Sequence, residues 1–505
     1  MAAGSTPAPE ELDVLIVGAG LSGIGAARHL QDKCPGKSYA ILEARDAIGG
    51  TWDLFRYPGI RSDSDMYTLG YAFKPWRSAK AIADGPDILD YIRETAEEAG
   101  IDRRIRFGHR VVRASWSSAD ARWTIEAETG EGLRAFRCRF VMMCSGYYSY
   151  DVAHRPDFPG EKSFAGPILH PQFWPEDLDH EGKRIVVIGS GATAVTLVPE
   201  LAKKAAHVTM LQRSPSYIVS RPSRDAVAEA LKRALPARLA YRLVRFKNVL
   251  LTMLFYKLAR SRPKRVGEKL IRMVREELGP DYDVETHFTP HYNPWDQRLC
   301  LVPDGDLFQA ICAGRASIAT DEIDTFTAGG IRLRSGEELP ADIVVAATGL
   351  KVNLMGDAEI VVDGVRQDLS QAFTYKALMF SGVPNLIFTF GYTNASWTLK
   401  ADLTAEWACR LINHMDRHGY AAATPIAEAD LGELPFVDFT SGYIQRALSI
   451  MPRQGDRKPW RLHQNYVPDM ATLRLGRIED GTLRFTRACG EERERAALDG
   501  QAGGA

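Results

Sequence analysis

The chain has 505 residues, of which 45% are hydrophobic and 25% charged, with a formal net charge of -1. That length predicts about two or three domains, and the near-neutral charge gives no global basis for nucleic-acid binding. The seven cysteines are scattered singly, which favours reduced cytosolic thiols over a disulfide framework or a zinc site. The N-terminus lacks a secretory signal and no apolar run approaches a membrane span of roughly 20 residues, so we predict a cytoplasmic protein.

The first predicted element is a buried parallel strand at residues 13–17, followed by a glycine turn and a helix. Gly18 permits the tight turn, Gly20 leaves room for a pyrophosphate, and Gly23 lets the helix pack closely on the strand. The next strand ends in Glu43, about 20 residues on, where an acid binds a ribose 2′-OH. Strand, glycines and acid together predict a dinucleotide site, which a glycine motif alone would not.

A second strand, turn and helix of this design begins at residues 184–188. Gly189 and Gly191 fill the first two glycine positions. Ala194 fills the third, where a small side chain suffices for packing. The sequence therefore predicts two Rossmann-like dinucleotide-binding units.

The strand after the second turn ends differently from its counterpart, in Gln212, Arg213 and Ser214. An Arg pairs with a 2′-phosphate and a Ser can donate to it, whereas a carboxylate would repel it. The alternative is that Arg213 is a solvated surface charge. FAD at the first site and NADPH at the second is the economical pairing, because a flavin accepts a hydride and passes electrons onward.

Two later apolar runs, "FRCRFVMMCSGYY" and "LPADIVVAATGLKVN", are interpreted as the returning strands of the two units. The second run ends in a small-residue turn, with Thr348 and Gly349 placed where backbone approaches a cofactor. We find no redox Cys pair, Ser nucleophile elbow or metal-binding motif, so we predict no metal and assign the difficult chemistry to a flavin.

The predicted fold class is α/β, with FAD and NADP Rossmann-like domains and a helical insert. The predicted segments are the first part of the FAD domain (10–150), the first part of the NADP domain (151–218), the insert (219–295), the second part of the NADP domain (296–380), and the second part of the FAD domain with the C-terminal region (381–490). The last segment contains "RLGRIEDGTLRFTR", which predicts a hairpin around Asp480 and Gly481.

The insert is strongly basic. Residues 221–279 contain 16 Lys and Arg against 5 Asp and Glu, in a helical pattern. We favour a helical cover over the substrate pocket with a solvated basic face. The alternative is an interfacial surface that makes peripheral contact with an anionic membrane.

The loop before the second site, "FAGPILHPQFWP", carries a family resemblance. It fits the pattern FxGxxxHxxxWP of Baeyer–Villiger monooxygenases, in a set of five positions: Phe164, Gly166, His170, Trp174 and Pro175. The blocks "GGTWDLFRYPGIRSDSDMYTLGY", "HYNPWDQRLCLVPDGDLF" and "GYTNASWTLKADL" resemble the mycobacterial ethionamide-activating subgroup more closely. The resemblance extends from about Asp13 to beyond Arg484.

The resemblance implies an NADPH- and O₂-dependent enzyme that converts small apolar ketones to esters or lactones through a C4a-peroxyflavin. It also implies oxidation of sulfides or thioamides at sulfur. One alternative is an enzyme that oxidises only nitrogen or sulfur, against which the WP ending argues. Another is a nucleotide-sensing protein without turnover. Neither the residues nor the resemblance indicates an oligomeric state.

The resemblance also implies roles for particular residues. Arg298 takes the position of the catalytic arginine, preceded by Gln297 where the family has Lys, and Asp63 takes the position of its acidic partner. The alternatives are a structural ion pair for Arg298 and a loop cap for Asp63. Trp52 would cover the flavin or serve as a core aromatic, and for His170 we favour a structural hydrogen-bonding role.

Overall fold

The structure is a computed structural model that describes residues 8–437 and 439–487. The strands of the described residues are β1 (Glu10–Val17), β2 (Tyr39–Leu42), β3 (Ile105–Arg106), β4 (Arg110–Ser117), β5 (Arg122–Thr129), β6 (Gly132–Met143), β7 (Tyr148–Ala153), β8 (Ile168–Leu169), β9 (Arg184–Ile188), β10 (His207–Gln212), β11 (Ile218–Arg221), β12 (Cys300–Pro303), β13 (Ala316–Thr320), β14 (Ile323–Thr327), β15 (Gly330–Leu333), β16 (Glu338–Pro340), β17 (Ile343–Ala346), β18 (Leu350–Val352), β19 (Glu359–Val362), β20 (Val365–Arg366), β21 (Thr374–Tyr375), β22 (Met379–Phe380), β23 (Leu386–Phe388), β24 (Ala422–Pro425), β25 (Glu433–Pro435), β26 (Arg453–Gly455) and β27 (Leu483–Thr486). The helices are α1 (Leu21–Lys33), α2 (Thr51–Leu54), α3 (Met66–Leu69), α4 (Gly85–Glu98), α5 (Ala192–Leu201), α6 (Ala226–Ala234), α7 (Ala237–Ser261), α8 (Pro263–Leu278), α9 (Val284–Phe288), α10 (Asp306–Cys312), α11 (Trp397–His418), α12 (Gly442–Ala447) and α13 (Tyr466–Leu475).

The largest sheet has nine strands and contains the first glycine turn. Its order is β20-β19-β4-β5-β6-β1-β2-β3, and β23 adds to the C-terminal half of β6. Strand β1 is parallel to both β2 and β6, as a nucleotide-binding unit requires. The N-terminal half of the long β6 also pairs with β5 in an antiparallel ladder, so one strand has both parallel and antiparallel neighbours.

A second sheet of five strands, in the order β13-β10-β9-β17-β8, contains the second glycine turn. All of its strand pairs are parallel. The strand β9, which leads into the turn, is buried from Ile185 to Ile188. One face of the sheet packs on helices that include α5 and α10, and the other packs on the antiparallel strands β14–β16, so both faces are buried and the apolar run is continuous. The two sheets confirm the predicted α/β class with two Rossmann-like units.

Two strand pairings depart from the sequence analysis. Strand β19 pairs with β4 in the nine-stranded sheet, although residues 296–380 were assigned to the NADP domain. Strand β27 pairs with the distant β24, and the described residues around Asp480 form no local hairpin, so that prediction is wrong. In each case the strand forms its backbone hydrogen bonds with a strand distant in sequence, and a local residue pattern does not predict such a partner. Residues 488–490 of the last predicted segment lie outside the described residues.

Between the two parts of the second sheet, the chain forms α6, α7 and α8, as the helical pattern predicted. Helix α7 is the longest of the three, with 25 residues. Its inner face packs on α3, which follows Asp63 in the chain, and its end leads into α8. Among the described residues, no helix has the length and apolar character needed to cross a membrane.

Candidate functional site

The first glycine turn joins β1 to α1 where backbone groups are packed too closely for side chains. Gly18 has a φ of +102°, and a Cβ atom there would lie 2.6 Å from the carbonyl oxygen of Cys144. A Cβ atom on Gly23 would lie 1.8 Å from the carbonyl oxygen of Gly18. Gly20 immediately precedes α1, so the unpaired N–H groups of the first helical turn lie at the glycine turn. These groups form a cradle suited to a pyrophosphate.

Glu43 follows β2 and stands beside this turn. Its carboxylate accepts hydrogen bonds from the backbone N–H of Ala19, at 2.7 Å, and of Arg45, at 3.0 Å. The side chain is buried, and this burial raises the pKa of Glu43 above its usual value. The two hydrogen bonds hold the acid rigidly and leave further lone pairs of its oxygens for a ligand hydroxyl.

A cavity of about 410 Å³ opens at the glycine turn, and we call it the dinucleotide cavity. Its wall brings together six of the sequence-predicted residues: Gly18, Gly20, Glu43, Trp52, Asp63 and Arg298. Trp52 belongs to the short helix α2 and is partly exposed to the cavity. The cavity thus has a backbone cradle and an acid in one region and an aromatic side chain and an ion pair in another, a donor set that fits a flavin dinucleotide.

The ion pair joins Arg298 and Asp63, which the chain places far apart in sequence. The distance from Nη2 of Arg298 to Oδ2 of Asp63 is 2.9 Å, and both side chains are partly exposed. The negative charge of Asp63 is the main cause that raises the pKa of Arg298 above its ordinary value. The guanidinium therefore stays protonated, and it presents fixed positive charge at the cavity wall.

A smaller cavity of about 130 Å³ lies against the same ion pair, and we call it the side cavity. It shares Asp63, Ser64 and Arg298 with the dinucleotide cavity. The rest of its wall is largely apolar and includes Val249 and Met253 of α7. The charged pair thus stands between a space suited to a dinucleotide and a space suited to a small apolar molecule.

The second glycine turn has the same backbone design but more open space. Gly189 has a φ of +137°, and a Cβ atom there would lie 2.5 Å from the carbonyl oxygen of Ala347. Ala194 is fully buried in α5, where a larger side chain would not fit. A Cβ atom on Gly191 would meet no atom within 4 Å. The turn is therefore accessible at the position where a pyrophosphate would approach.

Gln212, which ends β10, and the two residues after it divide into two roles. Gln212 is buried, and its side-chain amide donates to the carbonyl of His287, at 2.8 Å, and to the hydroxyl of Thr320, at 2.9 Å. Arg213 and Ser214 are exposed. Within the described part of the chain, Arg213 has no acidic partner. The structure therefore leaves Arg213 and Ser214 available to a ligand phosphate and commits Gln212 to internal packing.

The loop at residues 164–175 is hydrogen-bonded to β7 and to the turn at Gly349, which follows β17. Nδ1 of His170 accepts from the backbone N–H of Gln172, at 3.1 Å, and its Nε2 lies 3.3 Å from the carbonyl oxygen of Gly349. The side-chain amide of Gln172 donates to the carbonyl oxygens of Ser149 and Tyr150, at 2.9 Å each. Burial lowers the pKa of His170 below its usual value, so the ring is held neutral.

The other members of the loop pattern lie at packing positions. Phe164 is buried against Phe326, with ring centroids 6.0 Å apart. A Cβ atom on Gly166 would lie 2.2 Å from the carbonyl oxygen of Asp342. Trp174 is partly buried against the core of the second sheet, and Pro175 follows it.

Thr348 and Gln297 are the two remaining residues predicted to contact a cofactor. Thr348 donates from its hydroxyl to the carbonyl oxygen of His154, at 2.7 Å, and precedes Gly349 with its φ of +102°. Gln297 is partly buried and pairs through its backbone with Pro294. Trp295, which lies between Pro294 and Gln297 in the chain, has a φ of +71°, an unfavourable conformation for a large side chain. Strain of this kind clusters at functional sites, and it lies here beside Arg298.

The wall of the dinucleotide cavity also contains an aromatic group that was not predicted from the sequence. Tyr147 stacks on Trp397, with ring centroids 5.2 Å apart, and Tyr443 lines the same wall. The indole N–H of Trp397 donates to the hydroxyl of Ser22, at 2.8 Å. Burial raises the pKa of Tyr147, which keeps its phenol protonated. The sequence offered two signals: Tyr147 directly follows the Ser145–Gly146 turn, and Trp397 lies in the block "GYTNASWTLKADL".

One group of potential metal ligands occurs among the described residues. His414 and His418, one turn apart on α11, and Glu479 have ligand atoms within 4.8 Å of one another. Nε2 of His414 lies 2.9 Å from Oε1 of Glu479, and the two imidazole rings are 4.2 Å apart. None of the three residues lines the dinucleotide cavity or the side cavity.

Comparison with protein families gives two matches. A model described as flavin-binding monooxygenase-like matches residues 81–415, and an NAD(P)-binding Rossmann-like domain matches residues 16–81. The FAD-containing monooxygenase EthA of Mycobacterium tuberculosis is 56% identical over 95% of this chain and 98% of its own length. The probable FAD-binding monooxygenase AlmA of Acinetobacter baylyi is 47% identical over 95% and 97%.

Solved structures share the fold at lower identity. An oxidized steroid monooxygenase bound to NADP has a TM-score of 0.70 and 24% identity, and it covers 83% of this chain and 88% of its own. A closed crystal structure of cyclohexanone monooxygenase also has a TM-score of 0.70, with 20% identity over 84% and 88%. At this identity, the likeness concerns the arrangement of the two dinucleotide-binding units.

Proposed function

Because the chain belongs to the flavin-binding monooxygenase-like family, we propose that it is a Baeyer–Villiger monooxygenase, converting ketones to esters or lactones with NADPH and O₂. The family matches confirm the predicted cofactors, FAD and NADPH, and the flavin-dependent monooxygenase class. The ketone reaction itself is our proposal. The observation that carries it is the Arg298–Asp63 ion pair, at 2.9 Å, between the dinucleotide cavity and the side cavity.

FAD, when bound, supplies hydride acceptance from NADPH and activation of O₂. The chain supplies position and charge. The cradle at Gly18 and Gly20 would hold the pyrophosphate, Glu43 the adenosine ribose, and Trp52 would cover the flavin. At the second turn, Arg213 and Ser214 would hold the 2′-phosphate that distinguishes NADPH from NADH.

Arg298 is the residue we place in the catalytic role. Attack on a ketone carbonyl moves negative charge onto the carbonyl oxygen, and a fixed cation in a site with little water stabilises that charge. Asp63 holds the guanidinium in place and keeps it protonated. Asp63 thus acts as a positioning residue, and the ketone would occupy the side cavity.

The test is ester formation from a ketone panel with purified protein, NADPH and air, measured by mass spectrometry. We expect Arg298→Ala to bind flavin and NADPH but to lose ester formation by about 10²- to 10³-fold. The matched control is Arg332→Ala, which removes another arginine paired with an aspartate at 2.9 Å, Asp324, away from both cavities. Wild-type ester yields from Arg298→Ala would remove this residue from the mechanism.

Oxidation of sulfides and thioamides is a second proposed capability. The apolar wall of the side cavity, which includes Val249 and Met253, suits an uncharged sulfur compound. Oxygen transfer to sulfur develops no carbonyl oxyanion, so it depends less on Arg298. We therefore expect Arg298→Ala to retain more sulfoxide formation than ester formation. Equal losses in both products would argue against this distinction.

We further propose a peripheral membrane contact for the basic segment. Helix α7 has no acidic residue, and its basic residues Arg238, Arg242 and Lys257 are exposed, a charge pattern that anionic lipid surfaces attract. Sedimentation with phosphatidylglycerol vesicles at low and high salt measures the electrostatic contribution to membrane binding. We expect this binding to weaken as the salt concentration rises.

A further inference from the structure

Helix α7 exposes a continuous row of large apolar side chains, which we call the apolar stripe. Its members are between 40% and 59% exposed: Leu239, Leu243, Phe246, Leu250, Leu251, Leu254 and Leu258. They follow one another at intervals of one, three or four residues, which places them along one side of the helix. A surface of this kind marks a site of contact with a partner or a membrane.

The opposite face of α7 is already buried, so the stripe is not an unpacked core face. Arg245, itself buried, donates to the carbonyl oxygens of Tyr67, at 2.7 Å, and Gly70, at 2.6 Å. The side-chain amide of Asn248 donates to Asp65, at 2.8 Å. These contacts fix the rotation of the helix and hold the stripe outward.

The charge beside the stripe favours one occupant. Arg238 and Arg242 are exposed, and neither has an acidic partner in the described part of the chain. A second copy of the protein docked through this face would bring two cationic helices together. An anionic lipid bilayer accepts the apolar side chains below its headgroups and the arginines among them.

The same helix forms part of the wall of the side cavity. Val249 and Met253 line that cavity together with Arg298. Leu250, a member of the stripe, precedes Met253 by one helical turn, so the two side chains are neighbours on the helix surface. A path along this edge of α7 would lead from the stripe toward the ion pair.

We propose that α7 docks on an anionic bilayer through the apolar stripe and that lipophilic substrate passes beside it from the lipid into the side cavity. The identification of the side cavity as the substrate site rests on the proposed function. The docking itself does not, because it follows from the stripe and its charge.

Docking is tested by flotation of the holoenzyme with vesicles of phosphatidylcholine and phosphatidylglycerol, and with vesicles of phosphatidylcholine alone. We expect binding to the anionic vesicles and a loss of about tenfold or more in Leu243→Ser/Phe246→Ser/Leu251→Ser. The matched control is Leu133→Ser/Val365→Ser/Leu475→Ser, which removes three exposed apolar side chains elsewhere. Arg238→Gln/Arg242→Gln should reduce the preference for anionic lipid.

Substrate passage is tested by presenting a long-chain methyl ketone in anionic vesicles and a short ketone in water. In the stripe variant, we expect the apparent KM for the vesicle-borne ketone to rise about tenfold, while that for the soluble ketone changes less than about twofold. A KM that rises for the vesicle-borne ketone but not for the soluble one distinguishes this role from a general loss of folding or catalysis.

Three results would overturn the proposal. The first is no flotation of the wild-type protein with anionic vesicles. The second is a dimer, measured by sedimentation velocity, that the stripe variant dissociates, which would assign the stripe to a second copy. The third is an equal KM rise for both ketones. If neither ketone is oxidised while flotation behaves as expected, docking stands and the proposed ketone function fails.

Discussion

The two glycine turns have the same strand–turn–helix design but different surroundings. At the first, Gly18 and Gly23 are crowded by backbone atoms, and Glu43 is buried with its carboxylate already hydrogen-bonded. At the second, Gly191 faces open space and Arg213 is exposed. An enclosed, preorganised turn suits a cofactor that stays bound, and an open one suits a cofactor that enters and leaves in each cycle. We therefore expect FAD to stay bound at the first turn and NADPH to exchange at the second.

The largest effect should come from adding a single methyl group at the crowded turn. In Gly23→Ala the new Cβ would lie 1.8 Å from the carbonyl oxygen of Gly18, so α1 must move away from β1. We expect a loss of about 3 kcal/mol in the free energy of unfolding, with little flavin retained on purification. Denaturant unfolding and the flavin absorbance of the purified protein measure both.

The matched change at the open turn is Gly191→Ala, where the new Cβ meets no atom within 4 Å. We expect unchanged stability and flavin content, with weaker NADPH binding, because the methyl group occupies the approach of the pyrophosphate. Equal destabilisation by the two substitutions would show that the turns do not differ in the way described.

An intermediate effect should come from Arg213, the positive charge that stands where the first unit has Glu43. In Arg213→Ala we expect the KM for NADPH to rise about tenfold or more, since a charge-assisted contact to the 2′-phosphate is lost. The KM for NADH should barely change, because NADH has no such phosphate. Steady-state oxidation of both cofactors measures the difference, and a parallel rise for both would contradict the assignment of the second site.

The smallest effect should come from His170, which connects the loop to the turn at Gly349. Burial lowers its pKa below the ordinary value of 6.5, so the neutral ring stabilises the fold above that pH. As the pH falls from 6.5 toward the lowered pKa, this contribution is lost, because a protonated Nδ1 cannot accept from Gln172. We expect His170→Gln to flatten that part of the thermal-stability profile. The same slope in the variant and the wild type would exclude the effect.

The two Rossmann-like units were predicted from residues near one another in sequence. The turns at Gly18 and Gly189 and the position of Glu43 follow from steric rules that act within one strand–turn–helix unit. The resemblance implied the pairing of Arg298 with Asp63, and the structure places these side chains 2.9 Å apart. Gln212, in contrast, was predicted to contact a cofactor but hydrogen-bonds to His287 and Thr320, because those distant residues pack against the end of β10.

The sequence by itself determined the two nucleotide-binding units, the different residues that follow their second strands and the basic character of the insert. These are properties of local spacing and composition. Only the tertiary structure decided that the ion pair lies between two cavities and that Tyr147 stacks on Trp397. It also decided that α7 turns an apolar stripe outward while the edge beside the stripe lines the side cavity. Each of these depends on which distant segments pack together, and the helical period alone does not say which face of an amphipathic helix the rest of the chain will bury.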